Sequence, residues 1–179
     1  LPISARLFSN VRSKKGLAYN VRGGVGTGCI LIAKMLGAEV SACTSSPEKV
    51  EALKKFGADH VINYRDTDFV AAVNEITGGR KCDVVYDSVG LTTFDKSLNC
   101  LRPRGYMVLY GQSSGPVPPM EPQVLNGKGS LFLTRPTLAH YTATRAELME
   151  RATDLFSWIA AGELNVAIDT TFALDAAAD

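Results

Sequence analysis

The run Leu17-Ala18-Tyr19-Asn20-Val21-Arg22-Gly23-Gly24-Val25-Gly26-Thr27-Gly28-Cys29-Ile30-Leu31-Ile32-Ala33-Lys34-Met35-Leu36-Gly37 decides the fold. Its first six residues read as a short strand. Four glycines, Gly23, Gly24, Gly26 and Gly28, follow at once. An apolar helical stretch then runs to Gly37, which suits a C′ position because glycine tolerates a left-handed backbone there. Strand, glycine loop and helix in that order aim free N–H groups and the positive helix end at one point, and the absent Cβ atoms let a pyrophosphate come close. The strict G-x-G-x-x-G is not met, because Cys29 takes its last place when Gly24 is the first. A mere tight turn therefore stands as the competing reading of the glycines.

Outward from this run the chain alternates. A strand is expected over Glu39 to Thr44, then a helix from Ser46-Pro47 (N-cap and N1) to Phe56, stopped by Gly57. His60 to Asn63 reads as a strand, Asp66 to Thr77 as a helix ended by Gly78-Gly79, Asp83 to Tyr86 as a buried strand, Thr92 to Leu101 as a helix and Tyr106 to Tyr110 as a strand. Ser113 to Pro122 holds four prolines and is a loop; Ser130 to Leu133 is a further strand. Thr144-Arg145-Ala146-Glu147 is a capping box opening a helix with Leu148, Ala152, Leu155, Phe156 and Ile159 on one face, ended by Gly162. Strands and helices alternating with short loops imply βαβ units and a parallel sheet. The expected architecture is α/β: a doubly wound parallel sheet, a Rossmann-type dinucleotide-binding domain. Its span is 17–165, after a connecting segment 1–16 and before a further segment 166–179.

Composition narrows the function. The chain has 179 residues, 46% of them hydrophobic and 21% charged, which excludes wholesale disorder. With 19 Lys+Arg against 18 Asp+Glu the net charge is +1, so no general attraction to nucleic acid or an anionic membrane is expected. No uncharged apolar run approaches the ~20 residues that cross a bilayer. Cys29, Cys43, Cys82 and Cys100 are scattered, form no C-x-x-C pair and read as buried free thiols of a reducing, cytoplasmic compartment. With only His60 and His140 beside them, no metal cluster is expected. No acidic residue precedes Glu39, while Arg6, Arg12, Lys14, Lys15 and Arg22 do. An organellar transit peptide shows that bias, and so does a basic connecting segment, which is the reading adopted.

The end of the second strand carries the cofactor information. An NAD site usually places Asp or Glu there for the ribose 2′-hydroxyl. Here Cys43-Thr44-Ser45-Ser46 supplies no acid, and Lys49 follows one turn into the next helix. Small hydroxyls with a cation suit a 2′-phosphate, so NADP(H) is favoured over NAD(H). Against this stands the reading that Ser45 and Ser46 only cap the helix and Lys49 is a solvated charge.

Several blocks, in order, carry a more specific resemblance. They are Gly23-Gly24-Val25-Gly26, Val61-Ile62-Asn63-Tyr64-Arg65, Ile76-Thr77-Gly78-Gly79, Asp83-Val84-Val85-Tyr86-Asp87-Ser88-Val89-Gly90, Leu101-Arg102-Pro103-Arg104-Gly105, Tyr110-Gly111-Gln112-Ser113-Ser114-Gly115 and Leu131-Phe132-Leu133-Thr134-Arg135-Pro136. Together they resemble the NADPH:quinone oxidoreductases, the zinc-free, zeta-crystallin-like branch of the medium-chain dehydrogenase/reductase superfamily, over roughly Lys15 to Ala177. The resemblance implies that Gly24, Val25 and Gly26 meet the pyrophosphate, and that Ser45, Lys49 and Tyr64 surround the 2′-phosphate. It implies that Ser88 and Val89 lie along the central part of the cofactor and that Tyr110, Gln112 and Ser113 line the cleft. Phe132, Leu133 and Thr134 would approach the nicotinamide, and their edge would pair with its counterpart in a homodimer. The substrate implied is a small-molecule quinone. Two departures stand out: the first strand is about three residues short, and Arg22 sits where a small residue is expected. The resemblance also implies a GroES-like catalytic domain before this portion and a return to it after Leu174, which would make residues 1–16 the tail of a joining helix.

No Ser/His/acid set or paired carboxylates appear, so no catalytic residue is named. The alternatives are a non-catalytic NADPH-binding or interaction module and a methyltransferase. Lys49 without an acid at the second strand end argues against the latter, since a ribose diol wants a carboxylate.

Overall fold

A computed structural model describes residues 17–20, 25–166 and 171. The chain divides into two compact units, Leu1–Tyr141 and Thr142–Asp179.

In the first unit, β1 (Leu17–Asn20) leads to α1 (Val25–Met35), β2 (Val40–Thr44), a 3₁₀ turn (Pro47–Lys49) and α2 (Val50–Lys55). Then come β3 (His60–Asn63), α3 (Phe69–Ile76), β4 (Cys82–Asp87), α4 (Phe94–Asn99), β5 (Leu101–Leu109), α5 (Gln123–Gly127), β6 (Phe132–Thr134) and α6 (Leu138–Tyr141). The six strands form one sheet in the order β3-β2-β1-β4-β5-β6, and every pair is parallel. The chain winds from β1 outward through β2 and β3, then restarts beside β1 with β4. The doubly wound expectation is met, with its switch point between β1 and β4.

Strand alternation splits the interior into two cores. Ala42, Val84 and Val108 pack with Ile30 and Ala33 of α1 and Leu53 of α2. Cys43, Ile62, Val85 and Met107 pack with Phe69 and Val73 of α3 and with Phe94 and Leu98 of α4. The thiols are free, and Cys43, Cys82 and Cys100 are buried in the second core. Burial raises all four, Cys29 to about 11 and Cys100 to about 12, so they are neutral thiols near pH 7.

Several expected boundaries move. The helix expected over Asp66 to Thr77 covers Phe69–Ile76, capped by the Asp68 carboxylate, which accepts from Val70 N. The helix expected to reach Leu101 stops at Asn99, and Leu101 instead pairs with Cys82 at the start of a nine-residue β5. That strand tolerates Pro103 because the register shifts there, with Arg104 at φ +58° donating its N–H to Gly129 O. The last expected strand of this unit is Phe132–Thr134. Val21, Arg22, Gly23 and Gly24, and with them the question of a misfit at Arg22, lie outside the described residues.

In the second unit α7 (Arg145–Ala160) opens on the expected capping box: Thr144 Oγ1 accepts from Glu147 N while the Glu147 carboxylate accepts from Thr144 N. Gly162, at φ +72°, follows its end.

Candidate cofactor site

Because all six strands run the same way, the loops after their carboxyl ends share one edge of the sheet, where α/β folds bind ligands. Val25 and Gly26 open α1 after β1, with Gly26 buried. Ser45 follows β2, Lys49 ends the 3₁₀ turn, Tyr64 follows β3, Ser88 and Val89 follow β4, and Tyr110, Gln112 and Ser113 follow β5. The topology therefore brings these candidates to one edge. Gly24 lies outside the described residues. Phe132 is set further back: it pairs with Tyr106 in mid-β5, and the two rings stack at 4.6 Å. Leu133 and Thr134 carry β6 on toward the shared edge, opposite Met107 and Val108.

The loops after β4 and β5 are built as one piece. Asp87 O accepts from Tyr110 N and Gly111 N, Ser88 O from Ser113 N at 3.1 Å, and Val89 O from Ser114 N at 2.9 Å and Ser114 Oγ at 2.7 Å. In return Leu91 N donates to Gly115 O. Beneath this seam the Asp87 side chain is fully buried. Its carboxylate accepts from Val89 N (2.7 Å), Gly90 N (3.1 Å), Thr93 Oγ1 (2.8 and 3.0 Å) and Ser97 Oγ (2.8 Å). All of these donors are neutral. Asp83, at the other end of the same strand, is instead held by the guanidinium groups of Arg80 and Arg102. Asp87 thus fixes the turn that presents Ser88 and Val89.

At that turn two polar atoms are left over. Ser88 Oγ and Tyr110 OH are buried beside one another, and apart from each other neither has a hydrogen-bond partner. Burial raises the Tyr110 phenol, while the neighbouring Ser88 hydroxyl pulls it the other way, and the phenol is neutral at pH 7. Tyr86 packs edge-on to Tyr110 at 6.3 Å, and its own phenol is also raised by burial. An unmet buried hydroxyl costs about 1–3 kcal/mol. A ligand bearing amide or ribose groups at this position would recover part of that cost.

The other end of the edge is cationic. Tyr64 N donates to Thr44 O, which holds the turn after β3 against the end of β2 and places Tyr64 and Arg65 beside Ser45. Among the described residues neither Lys49 nor Arg65 is in a salt bridge, and both are exposed. Ser46 does not cap the following helix as expected. Its hydroxyl turns to the Glu48 carboxylate, while Thr44 Oγ1 closes the turn by accepting from Ser46 N. Two buried hydroxyls with no partner beyond each other at one end, and two cations outside any salt bridge among the described residues at the other, suit the amide, ribose and phosphate groups of a phosphorylated dinucleotide.

Residues 24–158 match the zinc-binding dehydrogenase family. The chain belongs to that family. Among its relatives, quinone oxidoreductase 1 of Escherichia coli is 47% identical over 150 residues, which cover 84% of this chain and 46% of the relative. A 2-haloacrylate reductase of Burkholderia is 45% identical over 163 residues, covering 90% and 49%. The crystal structure of E. coli quinone oxidoreductase complexed with NADPH superposes with a TM-score of 0.82 at 45% identity, over 87% of this chain and 48% of that one. The chain spans about half the length of these relatives. Among the described residues of this family member, no group of three or more His, Cys, Asp or Glu side chains could hold a metal ion. No helix among them is long and apolar enough to cross a membrane.

Sequence reading passed over two residues at the cationic end. Arg65 appeared only within a matching block, and Glu48 was hidden by the expectation that a discriminating acid sits at the strand end itself. The Asp87 network was equally silent, since nothing in the string of letters marks one of two neighbouring aspartates as buried without a cation.

Proposed function

We propose that this chain is the cofactor-binding portion of an NADPH-dependent reductase of quinones. The observation that carries the reading is the pair of exposed cations, Lys49 and Arg65, at the carboxyl edge of β2 and β3, neither of them in a salt bridge among the described residues. Two negative charges on a 2′-phosphate would meet them there, with Ser45 and Tyr64 adding donors. Val25 and Gly26 approach the pyrophosphate through backbone N–H groups at the start of α1, and Gly24, which precedes them in the sequence, is assigned to the same group of the cofactor. Ser88 and Val89, fixed by Asp87, lie along the central part of the cofactor, and Tyr110, Gln112 and Ser113 line the cleft. Leu133 and Thr134 extend toward the nicotinamide, and Phe132 supports them from its stack on Tyr106. When bound, NADPH supplies the hydride. The chain's own residues hold and orient it, and no residue is assigned to proton transfer.

The enzyme we infer works without zinc, in the cytoplasm, with the quinone bound between this portion and a GroES-like domain. It forms a homodimer along the β6 edge, where Phe132 and Leu133 are 50% and 39% exposed. The test measures NADPH binding and NADPH oxidation side by side, with a small benzoquinone and with 2-haloacrylate as acceptors. Saturable binding with weak oxidation that prefers the quinone is expected. Oxidation that prefers 2-haloacrylate would reassign the substrate. Binding with no oxidation at all would support a non-catalytic NADPH-binding module instead.

A further inference from the structure

The second strand end holds an acid after all. Glu48 lies two residues beyond Ser46, and the 3₁₀ turn folds it back so that its carboxylate accepts a hydrogen bond from the Ser46 hydroxyl. The turn sits directly at the carboxyl end of β2, and Tyr64 N on Thr44 O brings the turn after β3 alongside. Glu48 therefore shares its surroundings with Lys49 and Arg65. Their charges, after the Ser46 hydroxyl and a backbone N–H, hold its carboxyl below the ordinary carboxylate range. Glu48 is thus an anion at neutral pH, placed beside two cations, Lys49 and Arg65, that would attract the cofactor's phosphate to this end of the sheet.

We propose that Glu48 is a specificity-determining residue: tethered by Ser46, its carboxylate shields Lys49 and Arg65 and repels the 2′-phosphate, holding down the preference for NADPH over NADH. The proposal rests on the NADPH reading above. An anion here acts on the two cofactors unequally, because NADH carries a neutral hydroxyl where NADPH carries a phosphate. Glu48 is exposed and outside both cores, so removing its charge leaves the fold alone.

The experiment is a calorimetric titration of the intact chain with NADPH and with NADH, using the unmodified protein, Glu48→Gln and Lys49→Ala at low and high salt. Glu48→Gln is expected to bind NADPH about threefold to tenfold more tightly at low salt, with the gain shrinking at ~0.5 M salt as the repulsion is screened. NADH affinity should stay within about twofold, since no charge opposes Glu48 there. Unchanged or weaker NADPH binding by Glu48→Gln would overturn the proposal, as would equal tightening of both cofactors. Failure of the cofactor reading looks different: the unmodified chain binds neither cofactor, or Lys49→Ala loses NADPH and NADH alike.

Discussion

Asp87→Ala should lower the stability of the chain by about 3–5 kcal/mol, the largest loss expected from any single truncation at the site. The substitution strands the N–H groups of Val89 and Gly90 and the hydroxyls of Thr93 and Ser97, all of which now donate to one carboxylate. The site is fully buried, so water cannot replace that acceptor without opening the fold. Alanine also leaves a void between β4 and α4. Asp87→Asn keeps the volume and one acceptor oxygen and should lose about half as much. Urea unfolding gives both numbers. A loss below about 1 kcal/mol for the alanine variant would mean that the turn after β4 is held by something other than Asp87.

Gly111→Ala should be nearly as damaging, by steric overlap rather than a missing acceptor. A Cβ at this position would lie 2.5 Å from Ser88 O and 2.8 Å from Ser88 Cα. Both are backbone atoms within the seam that joins the β4 and β5 loops, so no flexible side chain can move aside. The loops must separate, which breaks the hydrogen bonds from Gly111 N to Asp87 O and from Ser113 N to Ser88 O. A loss of about 2–4 kcal/mol follows, together with at least a tenfold loss of NADPH affinity, because Ser88, Val89 and Gln112 are displaced together. The two variants act on one seam, so the double variant should lose clearly less than the sum. Gly28 offers the contrast, since a Cβ there meets nothing within 4 Å. Near-normal stability and cofactor affinity for Gly111→Ala would contradict the seam as the element that fixes the pocket floor.

The fold was legible because its determinants are local and repeated. Glycine and proline punctuation set the elements apart, and strands such as Cys82–Asp87, with Val84, Val85 and Tyr86 in succession, pointed to a sheet covered on both faces. Less legible were places where tertiary pairing overrides local signals. The helix expected to reach Leu101 yields its last residue to β5 because Leu101 is 2% exposed opposite Cys82, a burial that no local propensity reveals. The cap expected of Ser46 is absent because its side chain is turned to donate its O–H to the Glu48 carboxylate two residues away, an orientation in which its oxygen accepts from no helix N–H. At the site, the loops could be placed by strand order, so Ser45, Lys49, Tyr64, Ser88 and Tyr110 were within reach of a careful reading. Charge context was not: Arg65 comes to this edge only because β3 pairs in register with β2, and Glu48 only because the 3₁₀ turn folds back.

The central claim is that this sheet edge binds a dinucleotide through its 2′-phosphate, and the affinity ratio of NADPH to NADH for the intact chain, with and without Lys49, tests it most directly. The unmodified chain should prefer NADPH. Lys49→Ala should weaken NADPH by about 1–2 kcal/mol, the worth of one charge-assisted bond, and leave NADH nearly unchanged. Equal losses for the two cofactors, or an initial preference for NADH, would contradict the account.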